Sequence, residues 1–179
     1  MRRVACVLLA LLLAVAHGAL AEGEKVAMRI VSCPEQGFST LCRPEYDYDF
    51  TPDGGLTLNL SDTAFVTIFK TDAPGADFDA EYYLNNVYAR LLKGDYGDDL
   101  ISIGDYTVYS LGGRQLPGRM ALYREDGQGR MRFCAMDLRE DCFVRYEAFS
   151  RQEDAEMEAA LTALAVAVGN FQPDAGHYY

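Results

Sequence analysis

The stretch Ala64-Phe-Val-Thr-Ile-Phe-Lys70 decides the fold class, because its β-branched and aromatic residues predict a strand in the middle of a sheet. Before it, residues 46–50 and 56–60 flank Thr51-Pro-Asp-Gly-Gly55, where proline fixes one φ angle and the glycines tolerate positive φ. These segments predict a hairpin that leads into the central strand. Further upstream, residues 26–31 alternate as a strand does, and residues 33–37 predict a turn.

Beyond the central strand, the spacing of the apolar residues changes to that of a helix. The positions that recur at helical spacing are Tyr83, Val87, Tyr88 and Leu91. Asp77 or Asp79 is available as the N-cap, and Gly94 is available to end the helix. We therefore predict a first helix between these residues.

The remaining residues predict further strands and a second helix. Strands are expected from residue 100 to a Gly112-Gly113 turn, over 120–124, and as a hairpin of 131–138 with 142–149. Ser150-Arg-Gln-Glu153 predicts a capping box at the start of the helix. The apolar stripe of that helix consists of Met157, Leu161, Leu164 and Val168. In this order the elements predict an α+β fold, an antiparallel β-sheet flanked by helices.

Residues 1–21 have the layout of a cleaved signal peptide. Arg2 and Arg3 precede an apolar run that ends in the small-residue site Ala19-Leu-Ala21. The run is shorter than the ~20 residues that a transmembrane helix needs. We therefore expect a secreted protein without a membrane span after cleavage. Since no repeat or linker follows, residues 22–179 should form a single domain with its core at about 25–173.

The charge of the chain excludes two classes of partner. The chain holds 16 basic and 27 acidic residues, a net charge of −11, and the leader carries two of the basic residues. Its removal changes the net charge to −13. Nucleic acids and anionic membranes are poor partners for such a chain, because both require clustered lysine and arginine.

Four cysteines lie outside the leader and are candidates for disulfides. Cys33 and Cys42 are close in the sequence, and so are Cys134 and Cys142. Each spacing is wider than the roughly two to four residues usual between zinc ligands. In an oxidising compartment we expect structural disulfides, and short loop closure favours the two local pairs. Other connectivities, reduced thiols and a metal or redox site are the alternatives.

Residues that catalysis commonly uses are scarce. The only histidines are His17, in the leader, and His177, close to the end of the sequence. A serine or cysteine nucleophile would need His177 as its imidazole partner, and a catalytic zinc site would lack its usual ligands. No nucleotide-binding glycine motif occurs either. A non-catalytic protein is therefore expected rather than an enzyme.

Acidic residues leave two further alternatives. A glycosidase needs only two carboxylates at the right separation, and the candidates are Asp47, Asp49, Asp98, Asp99, Asp137, Glu140 and Asp141. Calcium would suit an acidic loop, and it is the best metal candidate that the sequence offers. The two sets that could supply its ligands are Asp95, Asp98 and Asp99, and Asp72, Asp77 and Asp79. Solvated surface charge is the simpler interpretation of both groups.

Three segments resemble the PsbP-like superfamily. They are Cys33-Pro-Glu-Gln-Gly-Phe-Ser39, Tyr109-Ser-Leu-Gly-Gly-Arg114 and Asn170-Phe-Gln-Pro173. The likeness extends over most of residues 25–173 and implies a small exported sandwich domain that acts as a binding or accessory scaffold. The first segment is also similar to uncharacterised secreted proteins of anaerobic Gram-positive bacteria. No functional motif is matched, so the resemblance assigns no site residue.

These observations favour an exported, non-catalytic domain that binds a protein or a cell-envelope component through a sheet face or a loop edge. A secreted hydrolase that acts on a glycan with paired carboxylates is the alternative, and a deep cleft holding two acids would support it. A structural secreted protein without any ligand is the third hypothesis. A surface without a pocket would support the first or the third.

Overall fold

The computed structural model describes residues 26–72, 78–110, 113–140 and 142–173. The predicted leader, Asp77, Asp141 and His177 lie outside these residues. Among the described residues, no helix is long and apolar enough to cross a membrane.

A seven-stranded antiparallel sheet forms the centre of the fold. Its strands are β3 (Asp47–Phe50), β4 (Leu56–Asn59), β5 (Phe65–Asp72), β6 (Leu100–Tyr109), β7 (Gln115–Glu125), β8 (Gln128–Leu138) and β9 (Cys142–Arg151). Their order across the sheet is β3-β4-β5-β9-β8-β7-β6. The predicted central strand, β5, is an interior strand, but β9 is the middle one. The reason is that β5 pairs along its whole length with β9, so β6, β7 and β8 extend the sheet beyond it.

A second, three-stranded sheet lies against the first. It consists of β1 (Arg29–Cys33), β2 (Phe38–Cys42) and β10 (Gln172–Pro173), with β2 in the middle. The predicted turn joins β1 to β2, and the Gly37 amide donates to the Pro34 carbonyl at 3.3 Å. Gly37 has a φ of 61°, which favours glycine at this position.

The first helix, α1, has three consecutive segments. An α-helical turn (Ala80–Tyr82) leads into a π-helical segment (Tyr83–Tyr88) and an α-helical segment (Ala89–Tyr96). Asp79 is the N-cap, as predicted, and its carboxylate accepts from the Tyr82 amide at 2.9 Å. The prediction that Gly94 ends the helix is wrong. Gly97, with a φ of 49°, ends it instead, because the chain needs a left-handed residue only where it leaves the helix.

The π-helical segment also changes which residues of α1 are buried. The Ala89 amide donates to the Leu84 carbonyl, five residues earlier, which turns the following residues relative to a regular α-helix. As a result Leu84, Tyr88 and Leu92 face the core, whereas Leu91 is exposed. The predicted stripe is therefore correct at Tyr88 and wrong at Leu91.

The second helix, α2 (Asp154–Asn170), begins without the predicted capping box. Ser150 belongs to β9, and its hydroxyl donates to the Arg151 carbonyl instead of capping the helix. Glu153 occupies the N-cap position without a side-chain bond, and the Glu156 carboxylate accepts from the Arg151 amide at 3.1 Å. The box does not form because β9 continues past Ser150 before the chain turns. The predicted apolar stripe is confirmed, since Leu164 and Val168 are buried in the larger cluster and Met157 and Leu161 pack against it.

The large sheet separates two apolar clusters. On one face, α2 and the small sheet pack over it and enclose the larger cluster. On the other face, α1 packs over β6, β7 and β8 and encloses the smaller cluster. The β4, β5 and β9 side of that second face extends beyond α1. The described residues thus form a single α+β domain with one half-covered sheet face.

Candidate functional site on the open half of the sheet

The part of the large sheet that extends beyond α1 forms a continuous surface, which we call the open face. Its residues are Thr57, Asn59, Phe65, Thr67, Phe69, Arg145, Glu147 and Phe149, with Arg132 and Phe143 at the border with the smaller cluster. Strand alternation places them here. Val66 and Ile68, between the open-face residues of β5, are completely buried on the other side of the sheet.

An aromatic pair and an arginine form a row at one end of the open face. Phe65 and Phe149 lie opposite each other on β5 and β9, and their rings stack with centroids 4.7 Å apart. The Arg132 guanidinium lies 5.2 Å from the centre of the Phe149 ring and 5.6 Å from that of Tyr88. Arg132 thereby joins the open face to α1, at distances typical of cation–π contacts.

A three-residue charge cluster lies beside this row. Glu147 accepts from Arg132 at 3.3 Å through one oxygen, and its other oxygen lies 3.3 Å from Nε of Arg145. The Arg145 guanidinium also lies 4.4 Å from the centre of the Phe69 ring. Only 8% of the Glu147 side chain is exposed, compared with 35% of the Arg145 side chain. Arg145 is therefore held in place from below while part of its side chain faces solvent.

The backbone at Gly55 lies close to the Phe69 ring, which Arg145 contacts. A Cβ atom at Gly55 would lie 2.6 Å from the Phe69 ring and 2.7 Å from the Thr51 hydroxyl. Only glycine therefore leaves the Phe69 ring where Arg145 contacts it.

Burial and charge set the protonation of the groups near α1. Burial is the largest cause that raises the pKa of Tyr88 above its ordinary value, and Cys134 and Glu147 add to it. For Arg132, burial lowers the pKa but the contacts with Tyr88 and Glu147 outweigh it, so the net pKa is raised. Burial likewise raises the pKa of Cys134, which favours a thiol over a nucleophilic thiolate.

The open face contains one shallow cavity of about 160 Å³. The residues that line it include Asp53, Phe69, Lys70, Phe143 and Arg145. The volume is well below the roughly 300 Å³ at which pockets for small ligands begin. The site therefore has the form of a surface rather than a cleft.

The chemistry of the open face suits recognition more than catalysis. Both Glu147 oxygens face arginines, so this carboxylate has no position from which to act as a general base. Within the described ranges, no group of three acidic, histidine or cysteine side chains is arranged to hold a metal ion. What remains are partly exposed aromatic rings, an oriented guanidinium and polar side chains at the edge.

The carboxylates considered for a hydrolase lie in separate parts of the fold. Asp47 and Asp49 are exposed on the edge strand β3, and Asp49 accepts from Asn59 at 2.9 Å. Asp98 and Asp99 belong to an exposed 3-10 turn before β6, the opposite edge strand. Glu140 is exposed at the β8–β9 turn.

Asp137 is the one buried member of this group, and its contacts are with cations. One of its oxygens accepts from Arg114 at 2.5 Å and the other from Arg139 at 2.8 Å. The structure does not bring Asp137 together with Asp47, Asp49, Asp98 or Asp99.

Two of the acidic residues considered for calcium have other contacts. Asp79 caps α1, and Asp95 lies 3.6 Å from Arg132. Asp72 lies at the end of β5. A calcium site therefore stays a prediction without structural support.

The two local disulfides favoured by the sequence do not fit the strand register. Cys33 pairs with Phe38 and Cys42 with Arg29, so these cysteines lie at opposite ends of the β1–β2 hairpin. Cys134 pairs with Glu147, five residues from Cys142 along β9, and the two cysteines belong to clusters on opposite faces of the sheet. Short loop closure predicted the wrong partners because the strands hold each chain segment extended.

None of the residues of the charge cluster was predicted from the sequence as a site residue. A signal was present, since Arg145 and Glu147 alternate with Val144 and Tyr146 in a strand that is otherwise apolar. Charged residues inside such a strand indicate a face that no other element covers completely. Locating that face required the position of α1.

Comparison with known proteins supports the fold. No family model and no curated protein sequence matches the chain. Among solved structures, the chain is similar to cyanobacterial PsbP from Synechocystis, at 8% identity and a TM-score of 0.51, over 86% of this chain and 97% of the other. It is also similar to the Ran-binding protein Mog1p of Saccharomyces cerevisiae, at 11% identity and a TM-score of 0.57, over 83% and 96%. The chain therefore has a PsbP/Mog1-like fold.

Proposed function

We propose that this protein is an exported, non-catalytic binding domain that holds a protein partner on its open face. The observation that carries the proposal is the set of partly exposed aromatic rings around Arg145, on a surface without a deep pocket. Aromatic residues and arginine are the residue types most enriched where proteins bind one another tightly.

The open face meets two requirements of a binding surface. Its side chains are held in place before contact, because Arg145 already lies against Phe69 and Glu147, which reduces the entropy lost on binding. It also combines apolar rings with polar side chains, since Thr57 and Asn59 lie beside the Phe65–Phe149 pair.

The chemistry of the partner follows from these groups. The exposed part of Arg145 suits a carboxylate or a backbone carbonyl of the partner, which would replace water on its guanidinium. The stacked pair Phe65–Phe149 suits an apolar side chain. We therefore expect a partner segment that carries an acceptor next to an apolar residue. Mog1p, which has the same fold, is a Ran-binding protein.

Site-directed photo-crosslinking tests the proposal. A benzophenone amino acid in place of Phe69 should give a defined adduct with a protein of the host's extracytoplasmic fraction. The matched control places the same amino acid at Tyr82, an exposed aromatic residue on α1, and should not give that adduct.

A charge reversal then tests the role of the arginine. Arg145→Glu in the Phe69-labelled protein should reduce the yield of the adduct at least tenfold. Arg90→Glu, which changes an exposed arginine of α1, should leave the yield unchanged. An adduct of equal strength at both labelled positions, or one insensitive to Arg145→Glu, would refute binding through the open face.

A further inference from the structure

Three buried cysteines lie on the α2 side of the large sheet, and the fourth lies on the α1 side. Cys33, Cys42 and Cys142 belong to the larger cluster, and Cys134 belongs to the cluster beneath α1. The backbone of the large sheet separates Cys134 from the other three. Any disulfide in the folded protein must therefore join two of Cys33, Cys42 and Cys142.

The register rules out two of the three remaining pairs. Cys42 lies four residues along β2 from the partner of Cys33, a distance of about 13 Å, and disulfide-bonded Cα atoms lie within about 7 Å. Cys42 lines a small cavity with Leu58, and the register continues from Leu58 through Val66 to Ala148. Ala148 is six residues, about 20 Å, from Cys142 along β9.

Cys33 and Cys142, in contrast, lie at the same end of the domain. The Cys33 sulfur lies 3.7 Å from the Gly54 carbonyl, and the Lys70 ammonium donates to the carbonyl of Gln36, three residues after Cys33, at 2.9 Å. Lys70 is opposite Val144 and points to the same face of the sheet as Cys142, two residues further along the strands. The segment that contains Cys33 is thereby placed beside the end of β9.

A second chain of contacts leads to the same place from the other side. Phe38, the strand partner of Cys33, stacks on Phe171 with centroids 5.1 Å apart. The Arg139 guanidinium lies 4.6 Å from the Phe171 ring, and the Arg139 amide donates to the Cys142 carbonyl at 2.9 Å. Both cysteines are at most 2% exposed.

We propose that Cys33 and Cys142 form a disulfide in the oxidised protein and that it joins the small sheet to the large one. A thiolate of one cysteine attacks a disulfide oxidant and releases one thiol of that oxidant. The second cysteine then attacks the mixed disulfide and releases the other thiol. The two cysteines lose two protons and two electrons, and the oxidant is reduced to a dithiol or to two thiols. Cys42 and Cys134 stay as thiols.

Peptide mapping of the whole secreted protein tests the pairing directly. After alkylation without reductant, cleavage at glutamate separates the cysteines into residues 25–35, 36–45, 126–140 and 141–147. We expect residues 25–35 cross-linked to 141–147, and the other two peptides alkylated. A cross-link that includes 36–45 or 126–140, or four alkylated peptides, would overturn the proposal.

Thermal unfolding supplies an independent measurement. Since the closed loop is long, Cys33→Ser should lower Tm by about 10 °C, and Cys142→Ser and the double variant should lower it by the same amount. A reductant should lower the Tm of the unaltered protein to that value and leave the double variant unchanged. Cys42→Ser, a matched control, should retain the cross-link and its response to reductant.

Discussion

Two halves of one sheet face have the same backbone geometry but carry different side chains. Met136 and Arg145 lie opposite each other across β8 and β9, and so do Cys134 and Glu147. Met136 and Cys134 lie beneath α1 and are at most 2% exposed, whereas 35% of the Arg145 side chain is exposed. The comparison shows that the side chains on this face differ in polarity according to whether a helix covers them. Apolar residues lie beneath α1, and amphipathic residues lie beyond it.

The width of a helix explains where the cover ends. A helix with its side chains is about 10–12 Å across, and neighbouring strands are about 4.8 Å apart, so one helix covers two or three strands. On this face α1 covers β6, β7 and β8. The opposite face has α2 and the small sheet to cover it. The face stays open in the described part of the chain because one helix lies on this side of the sheet there.

The largest expected effect is in the covered half. Met136→Ala should lower the free energy of unfolding by about 2–5 kcal/mol, because it leaves a cavity beneath α1. Urea denaturation measures this loss. Leu138→Ala is the matched control, since Leu138 lies on the same strand and is 45% exposed, and it should cost less than about 0.5 kcal/mol. Equal losses would mean that α1 does not cover Met136.

A second effect concerns alkaline pH. Burial raises the pKa of Tyr88, beneath α1, and of Tyr146, on the opposite face. Because the folded protein keeps both tyrosines neutral, their contribution to stability is complete below the unfolded pKa of about 10 and decreases as the pH rises. At pH 11, ionisation of each of these two tyrosines in the unfolded chain should lower the free energy of unfolding by about 1.4 kcal/mol.

Urea denaturation at pH 9 and pH 11 measures this decrease, and Tyr88→Phe should make it smaller by about 1.4 kcal/mol. Absorbance at 295 nm provides the matching observation. Tyr88 and Tyr146 should ionise only when the protein unfolds. Ionisation of all 12 tyrosines in the folded protein near pH 10 would contradict the prediction.

The smallest effect on stability is expected in the open half. Arg145→Ala removes a partly exposed cation–π contact and ion pair, so it should lower the free energy of unfolding by less than about 1 kcal/mol. Urea denaturation under the conditions used for Met136→Ala measures it. If Arg145→Ala costs as much as Met136→Ala, then Arg145 serves the core and the open face is not a binding surface.

Local structure was the part most readily predicted from the sequence. The turn at Thr51–Gly55 forms as expected, with the Thr51 amide donating to the Gly55 carbonyl at 2.8 Å and Gly54 at a φ of 87°. Asp79 caps α1 for the same reason, because such bonds join residues a few positions apart. Predictions failed where contacts with a distant segment decide the local structure. The capping box at Ser150, for example, does not form because β9 continues to Arg151.

The sequence by itself determined the α+β class, most strands and both helices, because turn chemistry and side-chain periodicity act over a few residues. Only the tertiary structure decided which strand is central, which cysteines lie near one another and which half of the sheet stays open. These properties depend on strand register and on the position of α1, and both are set by contacts between residues far apart in the chain. Arg145 illustrates the difference, since its charge is visible in the sequence and its partial exposure is not.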